Sequence, residues 1–309
     1  MAIRRHSKEL RAWIDGAISL SGHTDGAVHA AAGDTLAVAM QQGPRAEQQD
    51  CGAALLWIPA FGFAPRCAAV IADGMGGMRG GGWSSRHTVR VVVERCLSGR
   101  LDTPRDMLAS ALAAAQDEVL QALHGNGGTT LTAAVWDRGG GMLVHIGDTR
   151  AHFIEPGRPF CCLTTDHTDA GHADAIDRLT TDRPAEPYRP TPPDNSLIDV
   201  IGVPDGILAE RHVLHTPSGG RCVMTSDGAH DPILPARTAA FEEDGDEPRW
   251  TARRSVEEIW TRLTHEQLTD NATVVAIEPE RALRQADQEL RRGDALLVGP
   301  TGALRYALR

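Results

Sequence analysis

Three short apolar segments of this chain run into an aspartate, and two others start from one. Val70-Ile71-Ala72 ends in Asp73-Gly74, Val144-His145-Ile146-Gly147 in Asp148, and Val223-Met224-Thr225-Ser226 in Asp227-Gly228. Asp270-Asn271 stands immediately before Ala272–Ile277, and Asp50 before Cys51–Ile58. Runs of this length, rich in β-branched and small apolar residues and bounded by glycine or polar clusters, read as buried strands. One aspartate at a strand end is ordinarily a turn former. Five on separate strands ask for more: carboxylates gathered at adjoining strand ends repel unless they are protonated or neutralised by a cation. Clustered oxygen donors without His or Cys favour hard divalent ions, Mg²⁺ or Mn²⁺.

The rest of the sequence fits strands packed with helices. Thr35–Gln41, Cys51–Ile58 and Ala68–Ala72 read as successive strands, followed by a helix over Trp83–Leu97. A second helix starts at Thr103-Pro104-Arg105-Asp106, with Thr103 placed to cap it and Pro104 suited to its first position. Its apolar face is Leu108, Ala111, Leu112, Ala115, Val119 and Leu123, and Gly125–Gly128 ends it. Strands return at Thr129–Trp136, Met142–Gly147 and Ala151–Ile154, the first two joined by a glycine-rich hairpin turn over Asp137–Gly141. Residues 166–195 form a polar, proline-rich excursion, read as a cover beside a site, with one weak helical patch near Ala173–Leu179. Strands at Leu208–Leu214 and Arg221–Ser226, a helix at Val256–Gln267 and a strand at Ala272–Ile277 complete the pattern. Residues 1–25 read as an N-terminal extension, 26–278 as one domain, and 279–309 as a charged helical tail whose mixed charges favour a solvated surface. Hairpin-connected strands and two clusters of helices imply sheets with helices packed outside them.

Charge excludes one class of partner. There are 41 acidic side chains against 31 basic ones, a formal net charge of −10, and Lys8 is the one lysine. A polyanion would be repelled, so no nucleic-acid partner is expected. The longest apolar runs, around Cys67–Ala72 and Leu131–Trp136, are too short to span a bilayer, and no signal peptide is evident, so a cytoplasmic protein without membrane contact is expected. Six cysteines show no CxxC spacing, and no His or Cys stands at zinc-ligand spacing, so buried reduced thiols are expected.

Asp73-Gly74-Met75-Gly76-Gly77 allows a tight turn and exposes the Gly74 carbonyl as another oxygen donor. It is neither GxGxxG nor a P-loop, which disfavours a nucleotide cradle. Gly80-Gly81-Gly82 reads as close packing or mobility, with no chemistry of its own.

The ordered set Arg45…Asp50, Asp73-Gly-Met-Gly-Gly77, Gly128-Thr-Thr130, Gly147-Asp-Thr-Arg150, Leu163-Thr-Thr-Asp-His167, Ser226-Asp-Gly228 and Asp270-Asn-Ala-Thr-Val-Val275 resembles the metal-dependent protein phosphatases of the PP2C (PPM) family, in their bacterial form. Any one piece is weak, but the ordered series spans Gly26 to Ile277. The resemblance implies an α+β fold, a four-layer αββα sandwich of two mainly antiparallel sheets flanked by helices. It implies two metal ions, Mn²⁺ or Mg²⁺, with Asp73 bridging them, the Gly74 carbonyl on one, Asp227 and Asp270 on the other, and Asp50 in the first metal motif. Asp148, with Asp227, matches the position of a third, weaker ion. Arg45 matches the arginine that grips the substrate phosphate. Asn271 is expected to orient its neighbour, and His167 to be structural. The implied reaction is hydrolysis of phosphoserine or phosphothreonine on a protein by metal-activated water. The implied setting is a monomer opposing a bacterial Ser/Thr kinase or acting on that kinase's targets.

Two departures stand out. Gln49 replaces the usual glutamate before Asp50, with Glu47 close enough in sequence to be a substitute. The 166–195 excursion differs from the family's flap, and substrate preference is expected there. Gln49 also admits a competing reading, a regulatory binding module with the same fold and little catalysis. A small-molecule phosphatase of that fold is the third.

Overall fold

The computed structural model describes residues 2–19, 26–61, 64–75, 80–98, 103–155, 161–169, 171, 196–204, 209–214, 220–233 and 251–308. Most of the 166–195 excursion, with its helical patch, lies outside them, as do Gly76 and Gly77.

Among the described residues, thirteen strands form two antiparallel sheets. One holds β1 (His29–Ala31), β2 (Leu36–Gln41), β7 (Arg150–Ile154), β8 (Cys161–Cys162), β10 (Arg221–Thr225) and β11 (Ala272–Ile277), in the order β1-β2-β11-β10-β7-β8. The other holds β3 (Asp50–Trp57), β4 (Arg66–Asp73), β5 (Leu131–Asp137), β6 (Gly140–Ile146), β9 (Glu210–Leu214), β12 (Asp294–Gly299) and β13 (Gly302–Ala307), in the order β13-β12-β3-β4-β5-β6-β9. The helices are α1 (Ala2–Ala17), α2 (Gly81–Leu97), α3 (Pro104–Leu123), the single turn α4 (Asp227–His230), α5 (Ala252–Leu263) and α6 (Pro279–Glu289).

Strand alternation sorts the apolar residues into three cores. On β3, Cys51, Ala53, Leu55 and Trp57 face outward onto α1, α2 and α3, while Ala54 and Leu56 face the other sheet. On β11, Ala272, Val274 and Ala276 face α5, while Val275 and Ile277 face inward. Three buried interfaces make four layers, helices–sheet–sheet–helix. A continuous apolar run such as β3 is what a strand covered on both faces requires. Leu283 and Ala286 of α6 join the inter-sheet core.

Thr103 caps α3, its hydroxyl accepting from the Asp106 amide at 3.1 Å and donating to the Asp106 carboxylate at 2.7 Å. Thr103→Ala is expected to cost about 1 kcal/mol, read as a lowered urea midpoint with unchanged slope.

Both ends of the chain are woven into the body. Ile14, Ala17 and Ile18 are buried in the outer core, where α1 packs beside α2 over β12 and β13. The reading of 279–309 as a helical, solvated tail holds only in that α6 is a helix: its inner face is buried, β12 and β13 form a hairpin, and β12 pairs with β3 from Ala295↔Trp57 to Val298↔Ala54. Ala295-Leu296-Leu297-Val298 is a short strand between charged and glycine-bearing flanks, which hide it in the sequence. The cysteines also need correction. Cys51, Cys67, Cys96 and Cys222 are buried, but Cys161 and Cys162 are exposed, because β8 is a two-residue edge strand.

Candidate active site

Register brings the aspartates together. Asp50 and Asp73 are direct partners across β3 and β4, at one end of their sheet. In the facing sheet, Thr225 pairs with Val274, so Asp227 and Asp270 emerge together just beyond β10 and just before β11. Gly147-Asp148-Thr149 is the crossing from β6 in one sheet to β7 in the other. Asp73, Asp148, Asp227 and Asp270 line one cavity of about 220 Å³, together with Arg45 and Gly74.

The threonine and glycine motifs hold this rim. The Asp73 amide donates to Thr130 Oγ1 at 2.9 Å, and the Asp73 carbonyl accepts from Thr129 Oγ1 and the Thr130 amide, each at 2.8 Å. The Gly74 amide donates to the Gln49 carbonyl at 3.0 Å. Position 74 admits no side chain, since a Cβ there would lie 2.2 Å from the Gly81 carbonyl oxygen. The Gly80-Gly81-Gly82 run thus serves close packing against the site. Gly147 turns the chain at a φ of +100°, a conformation that suits glycine, just before Asp148. Arg150 then forks onto Asp166, Nε to Oδ1 at 2.9 Å and Nη2 to Oδ2 at 2.6 Å, both residues buried. That pair joins the Gly-Asp-Thr-Arg and Leu-Thr-Thr-Asp-His segments.

Asn271 orients more than its neighbour. Its Oδ1 accepts from the Gln49 amide at 2.8 Å, and its Nδ2 donates to the carbonyls of Gln42 at 2.7 Å and Glu47 at 3.1 Å. It therefore fixes the loop that carries Arg45, whose half-exposed guanidinium is ion-paired with Asp270. Gln49 lines the cavity, but Glu47 is not among the described lining residues. Glu47 is exposed and its carboxylate sits over Gly82, where an added Cβ would meet it at 2.6 Å. It does not substitute for the missing glutamate.

Asp50 is placed differently from the other four. It is fully buried and is not among the described residues on the cavity wall. Its Oδ2 accepts from Ser226 Oγ at 2.7 Å, and that hydroxyl accepts from the Thr273 amide at 2.9 Å. Asp50 Oδ1 has no partner of ordinary hydrogen-bond geometry among the described residues. Sequence reasoning missed Ser226 as the strut behind the site and Leu197 as a lining residue. A strand-terminal serine and an isolated loop leucine carry no signal of their own.

Crowding shows in the acidities. Burial, then the carboxylates of Asp50, Asp227 and Asp148, holds Asp73 well above the usual carboxylate range. Burial, then Asp227 and Asp166, does the same to Asp148. Asp227 is pushed up to about 7 by burial and by Asp50, Asp270 and Asp231. Asp50 rises to about 6 through burial, with the Ser226 hydrogen bond opposing. Such a group cannot be fully ionised at neutral pH without added positive charge. Arg45 is the one cation among the described lining residues. All-oxygen donors, mutually raised acidities and the unpartnered Asp50 oxygen together fit hard divalent cations.

Residues 61–277 match the family described as protein phosphatase 2C. Arg45 and Asp50 precede that stretch, and the fold brings them to it. No curated protein matches the sequence. Among solved structures, the chain is similar to the PPM Ser-Thr phosphatase MsPP from Mycobacterium smegmatis, crystallised with cacodylate: 25% identity, TM-score 0.57, covering 79% of this chain and 97% of that one. It is similar to the serine/threonine phosphatase of S. agalactiae at 20% identity and TM-score 0.60, covering 78% and 97%. The catalytic domain of the phosphatase PstP in complex with two manganese ions matches at 22% identity and TM-score 0.56, covering 78% and 96%. The matched stretch is well over half of the chain, its sheets are layered as in those structures, and the chain belongs to the protein phosphatase 2C family.

Proposed function

We propose that this chain is a metal-dependent protein serine/threonine phosphatase that hydrolyses phosphoserine or phosphothreonine. The observation that carries the reading is a set of four aspartates from separate strand ends lining one cavity beside Arg45. Asp73, Asp227, Asp270 and the Gly74 carbonyl would hold two Mn²⁺ or Mg²⁺ ions, with Asp50 supporting them from behind and Asp148 serving a third. The manganese complex of PstP is consistent with that ion type. Divalent ions in this position would neutralise the phosphate and activate water as nucleophile.

The chain's own residues supply position and charge. Arg45 offers a planar fork to two phosphate oxygens, and Asn271 holds the loop that aims it. Thr129 and Thr130 fix the backbone of Asp73. No cysteine lines the cavity among the described residues, in keeping with hydrolysis that needs no covalent intermediate. Free cysteines are compatible with a reducing, cytoplasmic setting. No helix among the described residues is long and apolar enough to cross a membrane. A monomer acting on proteins phosphorylated by a bacterial Ser/Thr kinase, or on that kinase, completes the reading.

Hydrolysis of a phosphothreonine peptide with Mn²⁺ and with EDTA tests it, and equal rates in both would overturn it. Arg45→Lys is expected to lower kcat/KM about tenfold to a hundredfold, chiefly through KM, from a charge-assisted hydrogen bond worth roughly 1.5–3 kcal/mol. An unchanged KM would remove Arg45 from the phosphate. Gln49 on the cavity wall favours the second reading, a regulatory binding module with little catalysis, which the same assay would reveal as negligible turnover with or without Mn²⁺.

A further inference from the structure

We infer that His145, His167 and Glu210 form a separate cation site, suited to zinc, behind the turn that carries Asp148. Sequence spacing gives no hint of it, because the three residues come from different parts of the fold. His145 lies on β6, Glu210 is its direct partner across on β9, and His167 follows β8. One potential ligand atom from each lies within 4.8 Å of the other two. Two imidazoles and a carboxylate are a borderline donor set, unlike the all-oxygen cavity, and match three-ligand zinc sites.

His145 and Glu210 have outer partners at hydrogen-bond distance that can orient them. His145 Nδ1 is 2.8 Å from Thr132 Oγ1, which is 3.2 Å from the Thr149 carbonyl oxygen. His145 Nε2 is 2.9 Å from the Thr165 carbonyl oxygen. For Nε2 to bind a cation, the ring proton moves to Nδ1, where the Thr132 hydroxyl can accept it while donating to Thr149. The ring stays neutral throughout. His167 Nδ1 is 4.0 Å from Asp199 Oδ2, and Glu210 Oε2 is 3.2 Å from His212 Nε2. Burial, reinforced by His167, holds His145 down at about 4, so it is neutral at pH 7, as a ligand must be. Metal–nitrogen bonds of about 2.0–2.1 Å require donors spread over up to 4.8 Å to draw inward. Glu210, with its side chain 27% exposed on an edge strand, is the route of entry, and moving inward takes its Oε2 from the Thr165 amide that donates to it at 3.2 Å.

The site touches the catalytic rim through one turn. The His167 amide donates to the Gly147 carbonyl at 2.8 Å, and the Gly147 amide makes a long 3.4 Å contact to His167 Nδ1. A cation on His167 Nε2 puts the proton on Nδ1, which ends that long contact. Loading therefore alters the support of the peptide next to Asp148.

The full chain carrying Asp73→Asn and Asp227→Asn removes the competing carboxylate site without touching the histidines. Titrated with zinc against a chromophoric chelator, it is expected to retain one equivalent. X-ray absorption of that one-equivalent sample should show imidazole nitrogens on the zinc. Adding Glu210→Gln, or His167→Asn, should weaken binding by more than about tenfold, with circular dichroism confirming the fold. No retained zinc, oxygen-only coordination, or unchanged affinity in both variants would overturn the assignment and leave two histidine rings in edge-on contact.

Discussion

Asp227→Ala should reduce kcat for a phosphothreonine peptide about 10³-fold at saturating Mn²⁺, while the metal-free protein becomes more stable. Loss of one preorganised charge-stabilising group at a reacting centre costs about 10²–10³ in rate, and here that group would also hold a cation. The stability gain has a separate origin. Asp227 is crowded by Asp50, Asp270 and Asp231, so deleting its carboxylate relieves repulsion that the empty cavity leaves unanswered. Steady-state kinetics and thermal melts in EDTA check the two halves independently. A binding module would show the same negligible rate in wild type and variant, so equal rates would sink catalysis here. Lost activity with lowered stability would point to misfolding instead.

Metal-free protein is also expected to lose stability as pH rises from about 4 to about 7. Asp227 moves from an ordinary 3.8 to about 7 on folding, and Asp50 to about 6. An acid whose folded pKa is raised binds its proton more tightly in the native state. Its penalty is therefore absent below pH 4 and complete above the folded pKa. At about 1.4 kcal/mol per pKa unit, the loss is of order a few kcal/mol. Mn²⁺ at a hundred times its Kd should return about 2.7 kcal/mol, since it binds only the folded cavity. Urea midpoints at pH 5 and pH 7.5, with Mn²⁺ and with EDTA, measure this. A flat pH profile in EDTA would show that the carboxylates are not crowded.

The strands bearing the site were legible because each is an apolar run bounded abruptly by an aspartate: Asp73-Gly74, Asp148-Thr149 and Asp227-Gly228 close their runs, and Asp270-Asn271 opens one. Asp73, Asp148, Asp227 and Asp270 were found by that punctuation, and the structure gathers them in one cavity. What stayed hidden depends on contacts between distant segments. Ala295–Val298 reads as a tail until β3 is present to pair with it. Asn271 carries no mark of the three loop contacts it makes, and Glu47 is close to Gln49 in sequence yet directed over α2. Asp50 shares the strand-end signature of the others, but it lies one layer deeper, on Ser226.

The pairing of Arg45 with Asp270 has a thermodynamic corollary. The same guanidinium cannot serve a carboxylate and a phosphate fully at once, so each ligand of the cavity competes with an internal partner of the other. A cation that takes over Asp270 frees Arg45, and a phosphate that takes over Arg45 frees Asp270. The two binding equilibria are thus coupled with positive sign, and each must raise the affinity of the other by the same factor.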